Sequence, residues 1–290
     1  MKKLYGTGVA LVTPFDQNLE VDYNALKKLL RHTARGVDYY VVQGTTGESA
    51  TVSAEEKTQI LNFVRENNTA GLPIVYGIGG NNTGEVCAQI EATDLNGVTA
   101  LLSVSPYYNK PSQEGIYQHF KSVANTSPVP VILYNVPGRT SSNLSTETTL
   151  RLANHSNIIG TKEASGNMEQ CMKIAKNMPK DFLLISGDDM LTVPLYSIGA
   201  KGVISVLANA YPVTFKKIKD YSFAGNFAKA SRELFKLLDL NGSMYEEGNP
   251  VGLKALLAEM GICLDEVRLP HVAASSGLRK RISKLHQSIR

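Results

Sequence analysis

The chain has 290 residues, 43% of them hydrophobic and 19% charged, with a formal net charge of +4. That apolar share supplies a large core and excludes wholesale disorder, and no stretch approaches the roughly 20 apolar residues of a membrane span. Met1-Lys2-Lys3 has no apolar segment behind it, and Cys87, Cys171 and Cys263 are odd in number and far apart. Neither a secretory leader nor a disulfide or CxxC framework is expected, and a reducing, cytoplasmic setting fits.

In chain order, short apolar runs alternate with amphipathic segments. A strand over Gly8–Val12 precedes a helix over Asp22–Arg35, which carries Leu26, Leu29 and Leu30. A strand over Tyr39–Gln43 precedes Ser53–Glu66, which opens with Ser53 at the N-cap and Glu56 at N3, a capping box. Next come Pro73–Tyr76 with Thr83–Leu95, Ala100–Val104 with Gln113–Asn125, and Val129–Tyr134 with Thr146–Asn154. Ile158–Lys162 with Met168–Asn177, Phe182–Ser186 with Met190–Ile198, and Gly202–Val206 with Tyr211–Phe223 complete the series. The strands are near-continuous apolar runs, as in a parallel sheet buried on both faces.

Eight such pairs predict an α/β fold, a (β/α)8 TIM barrel, over an open doubly wound sheet, although pattern alone does not show closure. The remainder predicts helices over Ala228–Leu240, Pro250–Met260 and Ser275–Ser288. The expected organisation is a barrel over 1–223 with a C-terminal helical extension over 224–290, packed as one unit. The basic run from Arg279 to Arg290 reads as a nucleic-acid tail or as a solvated helix face. The helical spacing of Ile282, Leu285 and Ile289 favours the second, so no nucleic-acid partner is expected.

In such a barrel chemistry sits at the C-terminal ends of the strands. There the chain places Gly44-Thr45-Thr46-Gly47-Glu48-Ser49, Ser105-Pro106-Tyr107-Tyr108-Asn109, Tyr134-Asn135-Val136-Pro137-Gly138-Arg139-Thr140, Lys162 and Ser186-Gly187-Asp188-Asp189. Lys162 is the leading candidate. It ends an apolar strand, where desolvation disfavours a charged amine, and a neutral amine attacks a ketone to form a Schiff base. A pairing of Lys162 with Glu163 is the competing reading, and strand alternation sends those neighbours to opposite faces. Lys201 precedes strand eight and belongs to the other end of the barrel.

The Gly44–Gly47 turn can present N–H groups to a small carboxylate, or it is an ordinary capped turn. Tyr134 is a core tyrosine or a proton shuttle working with a hydroxyl such as Thr46. Arg139 is a surface residue or a clamp for a carboxylate. His32, His119, His155, His271 and His286 show no HxH or HExxH spacing, and Asp188-Asp189 lacks an evident third ligand, so no metal site is expected.

These motifs resemble the dihydrodipicolinate synthase family of pyruvate-dependent class I aldolases, which also contains N-acetylneuraminate lyase. The resemblance runs from Gly8-Val9-Ala10-Leu11-Val12-Thr13-Pro14-Phe15 to Arg268-Leu269-Pro270. It includes GTTGE, SPYYN, YNVPGRT, GTKEASG, SGDD, GVISV and NP…K in register. It implies that Lys162 forms the Schiff base with pyruvate and that Tyr134, Thr46 and Tyr108 form a proton relay, Tyr108 reaching in from a neighbouring subunit. It further implies that Thr45 and Thr46 hold the pyruvate carboxylate and that Gly187 and Ile204 line the pocket. Arg139 would bind the carboxylate of aspartate semialdehyde. The implied reaction, in diaminopimelate and lysine biosynthesis, needs no cofactor, and the implied assembly is a homodimer or a homotetramer built as a dimer of dimers.

Neuraminate lyases carry Ser-Thr where this chain has Thr45-Thr46, and they lack an arginine at the position of Arg139, which favours the synthase branch over a retro-aldol lyase. The intact lysine, tyrosines and Thr46 disfavour a non-catalytic barrel. The family's feedback site for lysine would gather Ser49, Ala50, Asn81, Glu85 and Tyr107. Sensitive members carry histidine where this chain has Lys57, and often at Ala54, so weak or absent lysine inhibition is expected. Gly252 and Ala255 depart from an NPxPxK pattern in which Lys254 is retained.

Overall fold

A computed structural model describes residues 2–289. Its strands are β1 (Gly6–Ala10), β2 (Tyr39–Val42), β3 (Ile74–Gly77), β4 (Ala100–Val104), β5 (Val131–Asn135), β6 (Ile158–Glu163), β7 (Leu183–Ser186) and β8 (Gly202–Ser205). They are hydrogen-bonded in sequence order into a closed barrel. Every recorded strand pair is parallel. The strands are buried almost throughout, so helices on one side and packed side chains on the other each remove an apolar face from water.

Between the strands run α1 (Tyr23–Thr33), α2 (Ala54–Asn67), α3 (Thr83–Ala92), α4 (Gln113–Thr126), α5 (Pro137–Thr140), α6 (Thr146–Leu152), α7 (Met168–Asn177) and α8 (Thr192–Ser197). After β8 come α9 (Pro212–Phe223), α10 (Phe227–Phe235), α11 (Leu238–Asn241), α12 (Val251–Glu259) and α13 (Ser276–Ile289). The expected capping box of α2 is present: Ser53 accepts from the Glu56 amide, and Glu56 reaches back to the Ser53 amide at 2.8 Å. Asp22, Asn82, Ser112, Ser145 and Asn167 cap other helices more simply, each side chain accepting from backbone N–H groups of the first turn. Among the described residues no helix is long and apolar enough to cross a membrane.

By its internal contacts the chain forms two compact units, one of residues 1–6 and 73–204, the other of residues 7–72 and 205–290. In the second unit β1 ends earlier than Gly8–Val12 predicts. The Leu11 amide still bonds to the Val41 carbonyl, but the Val12 amide turns to Asn209 Oδ1, which takes it off the ladder. The single helix expected over Ala228–Leu240 divides into α10 and α11. The Leu237 amide bonds three residues back to Leu234, and Leu234, Leu237 and Leu240 are all buried at that tighter spacing. On α13 Leu278, Ile282 and His286 are buried and Leu285 half-buried, while Arg279 and Arg281 pair with Asp265 and Glu246. The basic run is a solvated helix face as far as it is described; Arg290, its last residue, lies outside the described residues.

In the first unit His119 of α4 is buried, its Nδ1 2.9 Å from the Thr83 hydroxyl of α3. Burial pushes its pKa from 6.5 down to about 4. The unfolded chain therefore takes up this proton first, so the stability contributed by the neutral ring is full above 6.5 and is lost as pH falls to 4. The loss should reach about 3 kcal/mol. Urea midpoints measured between pH 7 and 4 should fall more steeply for wild type than for His119→Asn, and equal slopes would rule this account out.

Candidate active site

In the first unit β5 and β6 pair in register with Tyr134 opposite Lys162. Residues opposite one another in a parallel ladder point to the same face, so the pairing brings these two side chains together. Lys162 Nζ stands 4.0 Å from the centre of the Tyr134 ring, and each residue is only 7% exposed. Lys162 makes no ion pair with the described residues.

Glu163, the competing partner, faces the other way. Asn135 Nδ2 donates to both of its carboxylate oxygens at 3.1 and 3.0 Å, Gln170 Nε2 donates at 3.0 Å, and the Ser165 amide at 2.8 Å. Asn135 Oδ1 in turn accepts from the Leu144 amide. Alternation thus puts an amine and a phenol on the inner face and a fully hydrogen-bonded carboxylate on the outer one.

Gly187 follows β7 beside the lysine stem. A Cβ there would clash with Ala164 Cβ at 2.5 Å and crowd Lys162 Cε at 3.1 Å, so the glycine leaves room at this point for both. Ile204 of β8 is buried. Arg139 lies on α5, which Ser141 ends in a left-handed conformation at φ 56°. It is exposed and pairs with none of the described residues, leaving its guanidinium available to a carboxylate. Tyr107 and Tyr108 follow β4 and are both exposed, Tyr108 by 87% and at φ 73°.

In the second unit Thr45–Gly47 form one turn of 3-10 helix, closed by Glu48 in a left-handed conformation at φ 53°. The Thr13 hydroxyl donates to the Gly47 carbonyl at 2.7 Å. Thr45 is exposed and Thr46 buried, and Thr46 Oγ1 accepts from Asn249 Nδ2 at 3.1 Å. Glu48 meets Lys254 of α12, Nζ to Oε1 2.5 Å, with both side chains shut off from solvent. Lys254 also donates to the Glu266 carbonyl, and its Nζ lies 4.1 Å from the Phe15 ring centre, while the Arg268 guanidinium carbon lies 4.3 Å from it. Burial pulls the Lys254 ammonium below the usual amine range against the pull of the Glu48 carboxylate.

Glu48, Lys254, Asn249 and Asn135 stand in the motifs read from the sequence but received no role there. Lys254 carried a signal, being a single cation in the apolar run Val251-Gly252-Leu253-Lys254-Ala255-Leu256-Leu257. Such a cation requires a buried anion, whose identity only the fold supplies. Lys201 is half-buried just before β8, with its carbonyl bound to the Gly6 amide. Among the described residues no group of three His, Cys, Asp or Glu is arranged to hold a metal ion.

A closed parallel barrel whose sixth strand carries, one residue from its end, a buried lysine without an ion pair over a tyrosine ring has the features of a Schiff-base lyase. The family model for the dihydrodipicolinate synthetase family matches residues 3–289. The chain belongs to that family. It is 52% identical over 290 residues to 4-hydroxy-tetrahydrodipicolinate synthase of Cytophaga hutchinsonii, covering 100% of this chain and 98% of that protein. Against the enzyme of the same name from Flavobacterium psychrophilum it is 48% identical over 284 residues, covering 97% of each. The crystal structure of dihydrodipicolinate synthase from Aquifex aeolicus superposes with a TM-score of 0.93 at 37% identity, covering 98% of this chain and 97% of that one. That of the chloride-inhibited enzyme from Acinetobacter baumannii, complexed with pyruvate, gives a TM-score of 0.95 at 36% identity over 99% of both chains.

Proposed function

We propose that this chain is a 4-hydroxy-tetrahydrodipicolinate synthase, condensing pyruvate with L-aspartate 4-semialdehyde through a Schiff base on Lys162. The observation that carries the reading is the buried Lys162 amine, unpaired and 4.0 Å from the Tyr134 ring. Its neutral form attacks the pyruvate ketone carbon; water leaves, and an iminium forms. The iminium draws electrons from the adjacent C–H bond, and loss of that proton gives the enamine. The enamine carbon attacks the aldehyde of the second substrate, whose oxygen takes up a proton. The amine of the joined product then attacks the imine carbon and closes the ring, and Lys162 departs as the leaving amine.

In this reading Tyr134, Thr46 and Tyr108 carry the protons. The Thr45-Thr46 turn receives the pyruvate carboxylate on its backbone N–H groups, as turn and helix starts do. Gly187 and Ile204 border the reacting carbons, and Arg139 takes the carboxylate of aspartate semialdehyde bidentately. The strained, exposed Tyr108 fits a residue completed by a second copy of the chain, since such backbone persists where surroundings or function hold it. In this reading the working assembly is a homodimer, or a homotetramer built from two of them.

Tyr134→Phe is expected to fold normally and to lose turnover by about 10²-fold or more, the usual yield of a positioned proton carrier. Wild-type turnover in that variant would remove Tyr134 from the relay.

For the lysine site, Ser49 and Lys57 are half-buried and Ala50 exposed in the second unit, while Asn81 is half-buried and Glu85 and Tyr107 exposed in the first. Burial lowers the Lys57 pKa from 10.5, and in this reading the Lys57 ammonium repels the side chain of an incoming lysine. Steady-state assays should show little inhibition by submillimolar lysine, and Lys57→His should gain it. Strong inhibition of the wild type would refute the repulsion.

A further inference from the structure

We infer that Asn249 is a positioning residue of the reaction, fixing through its side-chain amide the direction in which the Thr46 hydroxyl passes a proton. The inference rests on the assignment of Thr46 to the proton relay made above.

Asn249 lies in the connection before α12, outside the eight strands, yet it is buried. Its Nδ2 donates to Thr46 Oγ1 at 3.1 Å, although 203 residues separate the two in sequence. A threonine hydroxyl has one proton to give and two lone pairs to fill, and its rotor turns freely unless a neighbour holds it. With Asn249 on one lone pair, what remains is one donor and one acceptor position. Those are the two positions a relay hydroxyl uses, receiving a proton on one side while giving one on the other. A neutral amide suits the task, because it donates without competing for the proton in transit. A carboxylate in its place would attract that proton, and an aliphatic side chain would leave the rotor loose.

The backbone segment that carries the amide is tied to the turn a second time. Five residues further on, Lys254 of α12 pairs with Glu48, two residues beyond Thr46, so residues 249–254 and residues 46–48 are joined at two places. Asn249 Oδ1 is buried without a hydrogen-bond partner.

The test compares wild type, Asn249→Ala, Asn249→Asp, Thr46→Val and the Asn249→Ala/Thr46→Val double variant. Three readouts are taken: borohydride trapping of pyruvate, deuterium exchange into the pyruvate methyl group in D2O, and kcat and KM for the condensation. Asn249→Ala should trap pyruvate to the wild-type extent with KM for pyruvate within about twofold. Its exchange rate and kcat should fall by about tenfold to a hundredfold, the range that misplacement of a working group costs. Asn249→Asp, isosteric but lacking the donor, should lose at least as much. In the Thr46→Val background, where no hydroxyl remains to be oriented, adding Asn249→Ala should change the rate by less than about twofold. Equal losses in both backgrounds would overturn the inference, as would full kcat in Asn249→Asp or an effect confined to KM. Failure of the wild type to trap pyruvate would instead count against the Schiff-base reading.

Discussion

Replacing Lys162 by methionine should abolish the reaction, with turnover falling by about 10⁴-fold or more, as when a covalent nucleophile is removed. Borohydride with pyruvate should add mass to the Lys162 peptide of the wild type and to no peptide of the variant. Because Lys162 holds no anion, its loss breaks no pair, and the variant should keep or exceed the wild-type Tm. An arginine at this position should be equally inactive, since it stays charged and cannot form the imine. Trapping on another lysine, or residual turnover within a hundredfold of wild type, would move the chemistry elsewhere.

The second large effect is on stability. Glu48→Gln removes the anion from a lysine with 0% side-chain exposure and leaves an uncompensated buried charge. The expected cost is about 3–5 kcal/mol. Lys254→Met should cost a similar amount by stranding Glu48. The double variant Glu48→Gln/Lys254→Met should recover much of the loss, because a buried pair replaced by neutral groups of like volume is often tolerated. Denaturant titrations of the four proteins give the coupling directly, and single variants within about 1 kcal/mol of wild type would show that the pair is not the anchor. Activity in the single variants should fall with stability, since Glu48 closes the turn that carries Thr45 and Thr46.

Much of this architecture was legible in the chain. The eight apolar runs and their helices mark the elements, and strand alternation correctly parts Lys162 from Glu163. Boundaries were less legible where a distant side chain intervenes. Asn209 ends β1 by taking the Val12 amide, and no local property of Gly8–Val12 signals this. The division of α10 from α11 likewise follows from burial of three leucines spaced for a tighter helix, and not from any breaker residue.

The sequence by itself pointed to the barrel class and the family and singled out Lys162 as the candidate reactive group. Periodicity and motif content are local properties, and a lysine ending an apolar strand is visible without coordinates. The tertiary structure decided which residues distant in sequence meet. It pairs Glu48 with Lys254 and Thr46 with Asn249, and it sets Asn135 and Gln170 around Glu163. A buried charge or hydroxyl must be satisfied by whichever partner the fold brings within about 3 Å. Sequence shows that such a partner is owed, and only packing shows which residue it is.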